Sequence, residues 1–113
     1  MTKRFETILL KDAFEFIHQQ DLKVRKKIFQ NIRRAEYQTN SKFFKKLGKD
    51  IWEFRTIYAG IQYRLLAFWD KDDQMQTLVV ATHGFVKKTS KIDKKEIEKT
   101  TKIKSDYQKN KTR

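Results

Sequence analysis

Five side chains in the second half of the chain have the types and spacing to act on a phosphodiester: Arg55, Arg64, His83, Lys87 and Lys88. Two guanidinium forks on a rigid surface can grip a phosphate and stabilise charge that builds up on phosphorus. A histidine beside them can give or take a proton near neutral pH. A lysine crowded by other cations can serve as a base. The arginines meet through a hairpin. The run IWEFRTIY is followed by Ala59-Gly60 and then by IQYRLLAFW, and a two-residue connection pairs Tyr58 with Ile61 and Arg55 with Arg64. Directly opposite residues share a face of a sheet, and like charges placed there cost roughly 0.2–1 kcal/mol. Such a pair asks for an anion between the forks. The alternative is a pair of solvated arginines bridged by Glu53.

His83 closes a third strand-like run, QTLVVATHG, and sensible registers put it near Gln62, Tyr63 or Arg64. A packed or capping histidine is the structural alternative. Lys87 and Lys88 follow at once and extend the same anion site, or they simply solvate the approach to a helix.

These residues need elements to hold them. Trp52, Phe54, Thr56, Tyr58, Ile61, Tyr63, Leu65 and Ala67 form the other face of the hairpin, an aromatic face that needs a cover. The cover is predicted upstream. Lys3–Leu10 reads as a first strand. Residues Ala13–Gln20 read as a short helix, with Phe14, Ile17 and His18 on one side. Asp21 is a predicted N-cap for a second helix that runs to about Gln38, its apolar stripe formed by Leu22, Arg25, Ile28, Phe29, Ile32 and Ala35. Phe43, Phe44 and Leu47 suggest one helical turn before Gly48. Asp93 opens a last helix, with Glu96 three residues on as in a capping box, and the chain after Tyr107 is expected to fray. The predicted fold is α+β: a helical hairpin packed on a mainly antiparallel sheet of about four strands, with a C-terminal helix, all in one domain spanning 1–113.

Composition narrows the function. The 113 residues carry 27 basic and 14 acidic side chains, a formal charge of +13. Residues 1–50 hold 13 basic against 6 acidic groups and residues 87–113 hold 11 against 4, while the sheet between them is nearly neutral. Two basic flanks of this kind point to a polyanion, an acidic protein, or both. The chain has no cysteine and only two histidines, so thiolate chemistry is excluded and no metal-ligand spacing exists. Asp70, Asp72 and Asp73 cluster in a turn that lacks a calcium-loop pattern. No cofactor fingerprint, serine elbow, signal peptide or membrane span is visible, and a cytoplasmic location is expected.

The runs FKKL at 44–47, IWEFRTIY at 51–58, IQYRLLAFW at 61–69 and THGFVKKTSKIDKKEIEK at 82–99 resemble, in order, the RelE/HigB-type toxins of bacterial toxin–antitoxin pairs, in the branch labelled phage-derived. The resemblance implies a RelE-like fold and a ribosome-dependent endoribonuclease that cuts mRNA in the A site. It also implies neutralisation by a cognate antitoxin, often a helix-turn-helix protein. Arg55 and Arg64 match the family's sheet arginines, and His83, Lys87 and Lys88 match its final strand–loop cluster. Where relatives often have Thr-Pro before the last helix, this chain has Ile92-Asp93. A late tyrosine or histidine often contributes in the superfamily; Tyr107 is the only late tyrosine here and is not expected to reach the site.

The implied reaction is metal-free and cofactor-free. The ribose 2′-OH attacks the adjacent phosphorus, Lys87, Lys88 or His83 supply base and acid, and Arg55 and Arg64 stabilise the phosphorane. Lys26, Lys27, Arg33, Arg34, Lys45, Lys46 and Lys91 are the expected RNA contacts, on the ribosome and the mRNA. Two rivals share the scaffold or its charge: a ParE-like toxin that inhibits gyrase by protein contact, and a plain RNA-binding module.

Overall fold

The computed structural model describes residues 2–70 and 77–111. Its elements are β1 (Glu6–Leu9), α1 (Lys11–His18), α2 (Leu22–Tyr37), β2 (Phe44–Gly48), β3 (Ile51–Tyr58), β4 (Ile61–Asp70), β5 (Leu78–Lys87) and α3 (Lys94–Lys111). The strands form one sheet in the order β1-β5-β4-β3-β2. Four of them run antiparallel as a meander, and β1 joins β5 in parallel. The sheet is therefore five-stranded and mixed, where the sequence suggested about four mainly antiparallel strands.

The extra strand is β2. The Phe43, Phe44 and Leu47 spacing suggested a helical turn, but pairing with β3 wins. Phe44 stacks on Trp52 with ring centroids 4.8 Å apart and also meets Phe5 and Phe54. Burying a ring among three others outweighs local helix preference. The turn back into β3 uses left-handed backbone at Gly48, Lys49 and Asp50.

The β3–β4 hairpin forms as its sequence predicts. Ala59 and Gly60 both have positive φ, and Arg55 lies opposite Arg64. The aromatic face receives the helical hairpin. Ala13 and Ile17 of α1 and Val24, Ile28, Ile32 and Ala35 of α2 pack on Phe54, Tyr63, Leu65, Ala67, Val79 and Ala81. Asp21 caps α2, its Oδ1 accepting the Val24 N–H at 3.1 Å. The far end of α2 is held by Arg4, whose guanidinium donates to the Ala35 and Gln38 carbonyls. Two expected stripe residues point outward instead: Leu22 and Phe29 are exposed, as are Phe14 and His18 of α1. Ala13 of α1 and Val24 and Asn31 of α2 are buried instead, so each helix buries a face rotated from the predicted one.

Helix α3 crosses the opposite face. Tyr107 packs edge-on against Phe68 at 5.5 Å, and its hydroxyl donates to Asp70 Oδ2 at 2.9 Å. Lys111 Nζ bonds Asp70 Oδ1 at 2.7 Å. That tie keeps the helix ordered to Lys111, beyond the Tyr107 limit expected from sequence. Asp72 and Asp73 lie outside the described residues. Among the described residues no group of three His, Asp or Glu comes together as a metal-binding cluster, and no helix is long and apolar enough to cross a membrane.

Gly84 marks a close approach between α1 and the sheet. A Cβ there would overlap the Phe16 ring and lie 2.7 Å from Leu65 Cδ2. Gly84→Ala is expected to cost about 1–3 kcal/mol, the range for overpacking a core, read as a lower midpoint in chemical denaturation. An unchanged midpoint would mean that Phe16 has room to swing away.

Candidate functional site

Three rows of side chains cross the face that α3 only partly covers. Strand registers align Glu53–Leu66–His83, Arg55–Arg64–Phe85 and Ile57–Gln62–Lys87. The rows hold four of the five candidate residues. Lys88 lies one residue beyond β5. The first row is closed and the third is open, with Arg64 at the junction.

The two arginines do not behave alike. Arg64 is 1% exposed, and its Nε lies 2.9 Å from Glu53 Oε1. The N–H is not aimed at that oxygen, so the contact is a charge pair rather than a hydrogen bond. On its other side Arg64 Nη2 donates to Gln62 Oε1 at 2.6 Å. Burial pushes the Arg64 guanidinium below its ordinary value. Glu53 acts against that shift and the facing Arg55 adds to it. Arg55 turns the other way. Its Nη1 donates to the Ser41 carbonyl at 3.1 Å and its Nε stays 3.9 Å from Glu53. The picture of two free forks gripping one phosphate is thus corrected: the pairing register holds, but Glu53 occupies Arg64 and only Arg55 reaches the surface. A buried cation needs a partner more than it needs distance from a like charge.

His83 is 2% exposed, beneath the first turn of α3. Its Nε2 lies 3.0 Å from Glu96 Oε1 and its Nδ1 3.0 Å from Thr82 Oγ1. Thr82 in turn meets the Leu66 carbonyl and Thr100 Oγ1. A neutral ring that donates from Nε2 to Glu96 can accept at Nδ1 by sharing the one Thr82 hydroxyl proton with the Leu66 carbonyl. His83 faces Leu66, not residues 62–64 as expected, because β5 slides to bury Val79 and Ala81 under the hairpin. Glu96 serves this contact instead of closing a capping box; the Lys95 N–H finds Asp93 Oδ1 at 3.0 Å.

Burial holds His83 below its ordinary 6.5, with Lys99 pushing the same way and Glu96 and Asp12 pulling up. A depressed folded-state value means the unfolded chain takes up the proton first on acidification. The stabilisation from a neutral His83 is therefore full above about pH 6.5 and is lost as pH falls below it. His83→Gln is expected to flatten the dependence of the denaturation midpoint on pH between 7 and 5. Parallel curves for the two proteins would show that His83 does not carry it.

Lys87 is half-buried at the open end and Lys88 is exposed. With Phe85, Lys91, Lys95 and Glu96 they line a cleft of about 230 Å³ beside the start of α3. The other expected RNA contacts scatter. Lys45 projects on the Glu53 side of β2 and Lys46 on the Trp52 side, both exposed. Arg33 lies over the Tyr37 ring, and Lys26 is exposed on α2. Lys27 and Arg34 converge with Arg55. Glu53, the bridge named as the alternative, does meet both arginines; sequence reasoning missed Gln62 as the second Arg64 partner and Glu96 as the His83 partner. It also missed Lys42, Phe43 and Asn31 beside Arg55. Asn31 had a signal, a polar residue set within the apolar stripe of α2.

The sequence model of the family described as "Phage derived protein Gp49-like (DUF891)" matches residues 15–105. A search of curated proteins gave no match.

Proposed function

This chain belongs to the phage-derived Gp49-like family, and from that premise we propose that it is the toxin of a toxin–antitoxin pair, acting as a ribosome-dependent mRNA endoribonuclease. The observation that carries the reading is the family match over residues 15–105, the family being one of RelE-like toxins. The helical hairpin on one face of the sheet and the half-open opposite face support a RelE-like fold. The charge of +13 supports a polyanionic target.

In this proposal the RNA lies on the open half of the face. Arg55 and Lys87 flank the scissile phosphate. The 2′-OH loses its proton to a base, with Lys87 or Lys88 in that role, and its oxygen bonds to phosphorus. The P–O5′ bond breaks, and the departing oxygen takes a proton from the ammonium of the other lysine of the pair, leaving a 5′-OH and a 2′,3′-cyclic phosphate. Arg55 stabilises the phosphorane charge. Arg64 acts as a positioning residue, holding Gln62 beside Lys87. His83 joins β5 to α3 and stays out of the chemistry. A cognate antitoxin with acidic surface would neutralise the basic flanks.

Pulse labelling after induced expression tests the reading. Methionine incorporation is expected to stop before growth does, with plasmid supercoiling unchanged. Loss of supercoiling with translation intact would move the target to gyrase and leave the sheet arginines without chemistry.

A further inference from the structure

The basic residues converge most closely away from the three rows. A cleft of about 210 Å³ lies between α2 and the half of β3 beyond the end of β2. Lys27, Arg34, Lys42 and Arg55 line it together with Asn31 and Phe43, and no carboxylate among the described residues does. Lys27 and Arg34 are seven residues apart, two turns along one face of α2, with Asn31 between them. Lys27, Arg34 and Lys42 have no ion pair among the described residues. Unpaired cations gathered in a concave site attract an anion.

Two further features narrow the anion. The Arg34 guanidinium sits over the Phe43 ring, 5.4 Å from its centroid. A guanidinium stacked on an aromatic ring is a flat platform that suits a nucleobase. At the cleft floor Asn31 is 4% exposed. Its Nδ2 is spent on Thr56 Oγ1 at 3.1 Å and the Arg55 carbonyl at 3.4 Å, while its Oδ1 has no donor. A ligand that brings both an anion and a hydrogen-bond donor, as a nucleotide does, matches all three features. An acidic peptide brings charge and N–H donors but no flat base for the Arg34–Phe43 platform.

We propose that this cleft is a single-stranded RNA subsite, taking one phosphodiester between Lys27, Lys42 and Arg55 and one base on the Arg34–Phe43 stack. The inference deepens the ribonuclease reading by placing a length of the substrate strand, and Arg55 links the two regions because it borders both. It gives Arg55 a reason to turn away from Arg64.

Binding of a labelled ten-nucleotide single-stranded RNA, followed by fluorescence anisotropy across a salt series, tests this on the full chain without ribosomes. Lys42→Gln is expected to lower the salt slope by about 0.7, the value for one phosphate contact on a single strand. Lys102→Gln, which removes an equal charge from exposed α3, is expected to change it far less. Phe43→Leu keeps an apolar side chain and is expected to weaken binding about fivefold or more, with the salt slope unchanged. Equal effects of Lys42→Gln and Lys102→Gln would overturn the inference, leaving only diffuse charge. A ten-residue glutamate peptide that binds as tightly, with the same loss in both cleft variants, would overturn it in favour of an acidic protein partner. Cleavage of ribosome-bound mRNA by the unaltered chain is scored separately. If the chain cuts but Lys42→Gln binds normally, this inference falls alone. If Lys42→Gln loses its contact but the chain never cuts, the ribonuclease reading falls alone.

Discussion

Replacing Arg64 by methionine is expected to destabilise the protein by about 3–5 kcal/mol, the scale for removing one partner of a buried ion pair. Glu53 is 3% exposed and Arg64 is 1% exposed, so water cannot replace the lost guanidinium. Set against a total of about 5–15 kcal/mol for a domain, this is a large fraction. Glu53→Gln should cost a similar amount from the other side. The double replacement Glu53→Leu with Arg64→Met is expected to recover most of the loss, because it removes both charges and their desolvation together. Thermal unfolding separates this from the behaviour of two facing, solvent-exposed arginines. For those, one replacement relieves repulsion and leaves the protein as stable or slightly more so. A melting temperature for Arg64→Met at or above that of the parent would contradict the buried-pair description.

Lys87→Gln is expected to lower cleavage about 100-fold or more while leaving the melting temperature close to the parent's. The activity loss is the usual scale for removing one group that stabilises or serves the transition state. The stability expectation follows from position. Lys87 is half-buried at the end of β5, opposite Gln62, and has no ion pair among the described residues. Arg55 lies two strands away, about 10 Å at the usual strand spacing, and one row along, so in this proposal its side chain swings from the Ser41 carbonyl to meet the phosphate. Parallel losses of activity and folding would make Lys87 structural. Full activity with full stability would pass the base role to Lys88.

The local chemistry of the turns was legible in the sequence. Ala59-Gly60 fixed the β3–β4 register, and with it the Arg55–Arg64 juxtaposition, because a two-residue loop leaves one pairing. Asp21 announced α2 in the same way. What could not be read was the fate of side chains set by two-sided burial. Residues Tyr63–Phe68 of β4 are buried on both faces, since α3 covers what α1 and α2 do not, and alternation then stops telling inside from outside. Arg64 therefore looked like a surface fork. His83 was misplaced for a related reason: the long β4–β5 connection leaves register open, and only packing of Val79 and Ala81 sets it. β2 was missed because three apolar residues fit a helical turn as well as a strand, and the aromatic cluster around Phe44 decides between them. The edge cleft draws on residues from α2, the loop before β2, and β3, a convergence no local pattern encodes.

We propose that this basic domain cuts mRNA on the ribosome. Purified protein added to ribosomes translating a defined message, followed by mapping of the mRNA ends, tests it most directly. New cuts are expected within the coding region, carrying 5′-hydroxyl and 2′,3′-cyclic phosphate ends. The cuts appear only when ribosomes are present and fall about 100-fold with Lys87→Gln. Intact message on ribosomes at full occupancy by the protein would contradict it, as would equal cutting of naked RNA or ends bearing a 5′-phosphate.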